Sequence, residues 1–135
     1  MFDYKEENIM NALQLTLAKP GTLELDARIT SFLIHFGIMP HLKGYYFLKQ
    51  AIELSIPNRQ LLMSITKELY PEIAQRFAST PGQVERSIRH AIEVMWKGPG
   101  RNLYCRTFGY ISDKRPTNGQ FIASLTEYFY LRLDL

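Results

Sequence analysis

A chain of 135 residues that is 46% hydrophobic and 21% charged is sized for one globular domain with a modest core, which excludes an intrinsically disordered polymer. No apolar run approaches the ~20 residues of a membrane span, and the start Met1-Phe-Asp-Tyr-Lys-Glu-Glu lacks the basic-then-apolar layout of a signal peptide. The formal charge of +3 is uneven: residues 1–28 carry 3 Lys+Arg against 5 Asp+Glu (net −2) and the remainder 13 against 8 (net +5), so the later part suits phosphate neutralisation.

In chain order, residues 1–18 read as an acidic amphipathic helix capped by Asp3, with Ile9, Met10, Leu13 and Leu17 as its apolar strip and Lys19-Pro20-Gly21 as its stop. Leu25–Phe36 is the next helix, with Ile29, Phe32, Leu33 and Phe36 on one face and Gly37 at its end. Ile38–Gly44 reads as a loop, because Pro40 and Gly44 break regular structure, and Tyr45–Leu54 returns to helix. Just ahead of that helix, Lys43 is either a solvated loop group or, with the free backbone N–H groups behind it, a phosphate contact. After the Ile56-Pro57-Asn58 turn, Asn58 caps a short helix over Arg59–Glu68 with Leu61, Leu62 and Ile65 facing inward.

Leu69–Phe77 follows as a short helix with Ile73, Ala74 and Phe77 on one face, and Ala78-Ser79-Thr80 breaks it. Thr80 is a good N-cap, Pro81 fits the first helical position, and Gln83 lies at the spacing that closes a capping box. Val84, Ile88, Ala91, Ile92 and Met95 then recur at helical spacing as one buried stripe. At about 100° per residue, Arg86, Arg89, His90 and Glu93 fall on the opposite side, with Glu85 on its shoulder. Short helix, tight turn, longer helix with outward arginines is the pattern of a helix-turn-helix whose second helix, residues 81–95, enters the major groove. The same pattern also fits two packed helices whose arginines are merely solvated.

Trp96 closes that helix as a packing residue, and Gly98-Pro99-Gly100 is a strong breaker. A short helix over Arg101–Thr107, a polar and basic loop over Ile111–Gly119 and a last helix over Gln120–Leu131, capped by Asn118, complete the chain. No run alternates convincingly with period two. The expected fold class is therefore all-α: a compact bundle of about six helices containing a helix-turn-helix, with an extra N-terminal helix.

Several separated segments carry a resemblance: Leu25-Asp-Ala-Arg-Ile-Thr-Ser31, His41-Leu-Lys-Gly-Tyr45, Ser64-Ile-Thr-Lys67, Leu69-Tyr-Pro71, Val84–Val94, Phe108-Gly-Tyr110, and Pro116-Thr-Asn118 followed by Phe121-Ile-Ala123. In order and spacing they resemble the C-terminal effector domain of the stage-zero sporulation protein A family, bacterial response regulators that bind short DNA boxes at the onset of sporulation. The resemblance divides the chain into an N-terminal helical extension or linker over 1–24 and an effector domain over 25–135. It also implies that full-length members carry a receiver domain where this chain has some two dozen residues, too few for one.

Candidate chemistry follows the same line. Histidines at 35, 41 and 90 and the lone Cys105 have no metal-ligand spacing, and neither a Gly-rich phosphate loop nor a nucleophile elbow is present, so no catalytic residue, metal or cofactor is expected. A single cysteine rules out an internal disulfide and fits a reducing cytoplasm. An Arg fork matches guanine O6 and N7, and a Glu accepts from cytosine N4. Arg86 and Arg89 point the same way about one turn apart, with Glu85 beside them, and the resemblance implies base contacts at these three positions. Lys43, Thr80, Gln83, His90 and Arg115 are the candidate backbone or flanking contacts. The expected partner is double-stranded DNA, with a homodimer on tandem sites and the RNA polymerase sigma subunit as further implied partners, and no membrane. The competing class is a protein-interaction module acting on a full-length relative or on RNA polymerase.

Overall fold

The computed structural model describes residues 22–133, so the expected helix over residues 1–18 lies outside the described residues. The described chain runs α1 (Thr22–His35), α2 (Lys43–Ser55), a 3-10 turn (Arg59–Met63), a π-helical turn (Ile65–Leu69), α3 (Tyr70–Arg76), α4 (Pro81–Lys97), α5 (Gly100–Phe108) and α6 (Asn118–Leu131). Among the described residues there is no strand, and the six α-helices pack as an all-α bundle.

The helices bury most of the stripes their spacing announces; the exception is Phe77, expected inward beside Ile73 and Ala74, which lies just past the end of α3 and is 40% exposed. Ile29 and Leu33 of α1 and Phe36 just past its end, Leu48, Ala51 and Ile52 of α2, and Phe121, Ile122, Leu125 and Phe129 of α6 are all sealed from solvent. One end of the core is aromatic: Tyr104 stacks on Phe121 at 5.4 Å between ring centroids, with Phe36 and Phe108 against Tyr104. Such pairs add about 0.5–1.5 kcal/mol each beyond area burial. The most extensive contact between helices is that of α2 with α4. It is close because Gly44 has no side chain: a Cβ there would collide with the Ser87 carbonyl and lie 2.7 Å from Ala91 Cβ.

Four local features differ from expectation. Lys43 and Gly44 are the first residues of α2 rather than loop, since Gly44 serves close packing there instead of breaking the helix. The helix expected over Arg59–Glu68 is a 3-10 turn that stops at Met63, and a π-helical turn then runs directly into α3. Pro71 explains the widening, because it has no N–H and its ring would strike the Lys67 carbonyl in a regular α-turn; the Tyr70 amide instead bonds Ile65 O. The last helix is capped by Thr117, not Asn118: Thr117 Oγ1 accepts from the Gln120 amide, and Gln120 Oε1 accepts from the Thr117 amide. Finally, Gln83 does not close a capping box on Thr80, because its side-chain oxygen accepts from Ser79 Oγ at 2.8 Å.

Candidate nucleic-acid interface

The corner between α3 and α4 contains no glycine, so Ala78 itself takes the left-handed conformation at φ +49°. The Ser79 amide then bonds back to Ala74 O at 2.8 Å, which closes the end of α3 and turns the chain at once. Thr80 starts α4 with its hydroxyl oxygen accepting from the Gln83 amide at 3.2 Å, and Pro81 occupies the first helical turn. Val84, Ile88, Ala91, Ile92 and Met95 are all buried, which fixes the rotation of α4 about its axis.

That rotation leaves Gln83, Arg86, Arg89 and His90 exposed, with Glu85 half-buried on the shoulder. Their electrostatic states differ. Arg89 lies 3.7 Å from Glu85, a loose pair one turn apart. Among the described residues no carboxylate comes within ion-pair distance of Arg86, whose guanidinium lies back over Gly82 in the first turn. Glu93 is engaged by both Lys97 at 2.7 Å and Arg115 at 3.3 Å. The Lys97 hydrogen bond, its charge and then Arg115 hold the Glu93 carboxyl below the usual range. The leading half of α4 therefore offers a free guanidinium and a loosely held one, while the negative charge of its trailing half is already matched.

Two clefts flank α4. One, of about 550 Å³, is lined by Lys43 and Tyr46 of α2, Phe77 and Ser79 of the corner, and Gln83, Arg86 and Ser87 of α4. The other, of about 500 Å³, lies between Thr66 and Tyr70, Glu85 and Arg89, and the segment Arg115–Gly119. The expected site residues thus gather around one helix although Lys43 and Arg115 are distant in sequence. Lys43 joins Gln83 and Arg86, Arg115 joins Glu85 and Arg89, His90 stands on the exposed face, and Thr80 is committed to its cap. Ser79, Ser87 and Tyr46 were not singled out from the sequence; their small or mixed character carries no signal until α2 and α4 are seen side by side. Trp96 packs as expected, half-buried with Tyr110 edge-on and the Arg101 guanidinium 4.0 Å over its ring.

Donor forks on an exposed helix face, at the start of a capped helix behind a tight corner, fit base edges in a major groove. Among the described residues no group of His, Cys, Asp and Glu is arranged to hold a metal ion, and no helix is long and apolar enough to cross a membrane. A family model described as "Sporulation initiation factor Spo0A C terminal" matches residues 29–129. Domains of that family are DNA-binding effector domains of sporulation transcription regulation.

Proposed function

Since the chain belongs to the Spo0A C-terminal family, we propose that it is a sequence-specific regulator of transcription that lays α4 into the major groove of duplex DNA. The observation that carries this reading is the face of α4: Arg86, Arg89 and His90 exposed, opposite a stripe that is buried throughout. In this reading Arg86 and Arg89 fork onto guanines and Glu85 accepts from a cytosine amino group. Lys43 and Arg115, one in each flanking cleft, reach the phosphates on either side of the groove, with Gln83 and His90 as flanking contacts and Thr80 holding the helix start. Phosphate contacts set affinity and its salt dependence, and base contacts set preference.

Fluorescence anisotropy against a duplex bearing the family's box and a scrambled duplex of equal composition tests the reading. Tighter binding to the box is expected, and equal affinity at physiological salt rejects sequence-specific recognition. Two copies on tandem boxes, contact with the RNA polymerase sigma subunit and a cytoplasmic location belong to the same proposal and rest on the family resemblance. For the tandem arrangement, sedimentation with one-box and two-box duplexes is decisive, a strict one-to-one complex on two boxes counting against it.

A further inference from the structure

Asn118 is released from capping by Thr117, and its side chain does something else. Its Nδ2 donates to Tyr70 Oη at 3.0 Å and to the backbone oxygen of Glu85 at 3.0 Å. One amide group thereby ties the first residue of α6 to α3 and to the leading half of α4. Both amide hydrogens are used, and the reversed amide would set its carbonyl oxygen against the Glu85 carbonyl, so a single orientation satisfies the contact. Asn118 is half-buried at the wall of the cleft that Arg89 and Arg115 line, and the joint is closely packed on its inner side: Tyr70 is 5% exposed, and a Cβ on Gly119 would lie 3.2 Å from Ile65 Cδ1 of the π-helical turn. Burial, opposed by the Asn118 bond and reinforced by the Glu85 charge, raises the Tyr70 hydroxyl above its ordinary value, so it stays protonated and neutral at physiological pH.

The apolar stripe of α4 and its close approach to Gly44 hold the helix against the core, but apolar contacts are non-directional and select among nearby axial positions less sharply than a directional bond does. A hydrogen bond to a backbone oxygen is directional and pins axial position as well. The oxygen that is pinned belongs to Glu85, beside Arg86. We propose that Asn118 and Tyr70 are positioning residues that set the depth and register at which α4 presents Glu85 and Arg86 to the bases, and so govern base discrimination more than overall affinity. This rests on the DNA-reading function proposed above. A binding constellation loses selectivity when its support loosens by about 1 Å, even with every contacting residue retained.

The test compares wild type, Asn118→Ala and Tyr70→Phe on box and scrambled duplexes at one salt concentration, with amide hydrogen exchange of α4 measured without DNA. The expected result is that the box-to-scrambled affinity ratio falls about fivefold or more in Asn118→Ala, the loss of roughly one net hydrogen bond, and by a smaller factor in Tyr70→Phe. Affinity for scrambled DNA should stay within about twofold, because the phosphate contacts are untouched. Exchange should quicken at residues 83–89 and not at 91–95. Parallel loss on both duplexes, or an unchanged ratio, overturns the proposal. Should Asn118→Ala fail to fold, Tyr70→Phe, which keeps the ring in the core, decides alone. A wild-type chain that does not prefer the box rejects the DNA reading itself, a result distinct from failure of the positioning pair.

Discussion

Arg86 and Arg89 carry the same group but hold it differently, and substitution should read out that difference. Arg86 has no carboxylate partner among the described residues, whereas Arg89 shares Glu85 at 3.7 Å and must loosen that pair to reach a base. Each Arg→Ala change is expected to weaken binding to the box duplex by about 1–3 kcal/mol, with Arg86→Ala at the upper end and scrambled DNA much less affected. Anisotropy titrations check this, and a uniform loss on all duplexes would reassign both residues to phosphate. Both side chains face solvent, so circular dichroism should show an unchanged fold. Ala78 presents a separate case. Its left-handed conformation costs an L-residue about 1–2 kcal/mol, a penalty glycine escapes at some cost in chain entropy. Ala78→Gly should therefore stabilise the chain by up to about 1 kcal/mol in urea unfolding, where an ordinary helix Ala→Gly change destabilises by about that amount. The arginines were legible in the sequence because helical periodicity alone assigns their face. The strain at Ala78 was not, because an alanine there looks like any helix former.

Between elements, the most extensive contact of α4 is its approach to α2 at Gly44. In the sequence this glycine, behind Pro40, reads as the end of a loop, since punctuation and close packing use the same residue. Only the partner helix distinguishes the two: the Ser87 carbonyl and Ala91 Cβ occupy the space a side chain would need. Gly44→Ala must push backbone against backbone, so a gain in helix propensity of at most about 1 kcal/mol is outweighed by overpacking of about 1–3 kcal/mol. Chemical denaturation should show net destabilisation, and stabilisation would mean that the two helices separate without penalty. The stripes of α1, α4 and α6 were legible for the opposite reason: each is a local repeat whose burial needs no knowledge of the partner. The turns over 59–69 were not, because an isolated run of Leu61, Leu62 and Ile65 fits an α-helix well. It is Pro71, further along the chain, that forces the π-helical widening.

The stability of the whole molecule should carry a pH signature from a joint between α1 and α2 that sequence reading passed over, since its members lie 23 and 27 positions apart. Lys49 Nζ sits 3.0 Å from Asp26 Oδ1, and Glu53 faces the same carboxylate. Burial first, then the hydrogen bond and charge of Asp26, push the Glu53 carboxyl up to about 8, against relief from Lys49. Burial also acts upward on Asp26, but the bonds from Glu53 and Lys49 outweigh it and leave that carboxyl below its ordinary value. Glu53 Oε1 is buried with no donor facing it, so as a carboxylate it is unsatisfied, whereas as an acid it has a proton to donate to Asp26. Tyr45 is the remaining titratable group acting on Lys49. A folded value raised from the ordinary 4.5 to about 8 means that the folded chain binds this proton more tightly than the unfolded one. Its contribution to stability is therefore complete below pH ~4.5, declines as pH rises and is gone above ~8. Asp26 acts oppositely, giving stability above its ordinary range that is lost on acidification below it. Solvent reaches part of the pair, so the decline should amount to only about 1–2 kcal/mol. Glu53→Gln keeps a neutral donor toward Asp26 at every pH and should abolish this part of the slope, leaving the variant more stable than wild type at pH 9 and nearly equal to it at pH 5. Thermal unfolding of both proteins across that range checks the prediction, and parallel curves would show that Glu53 is ionised in the fold throughout.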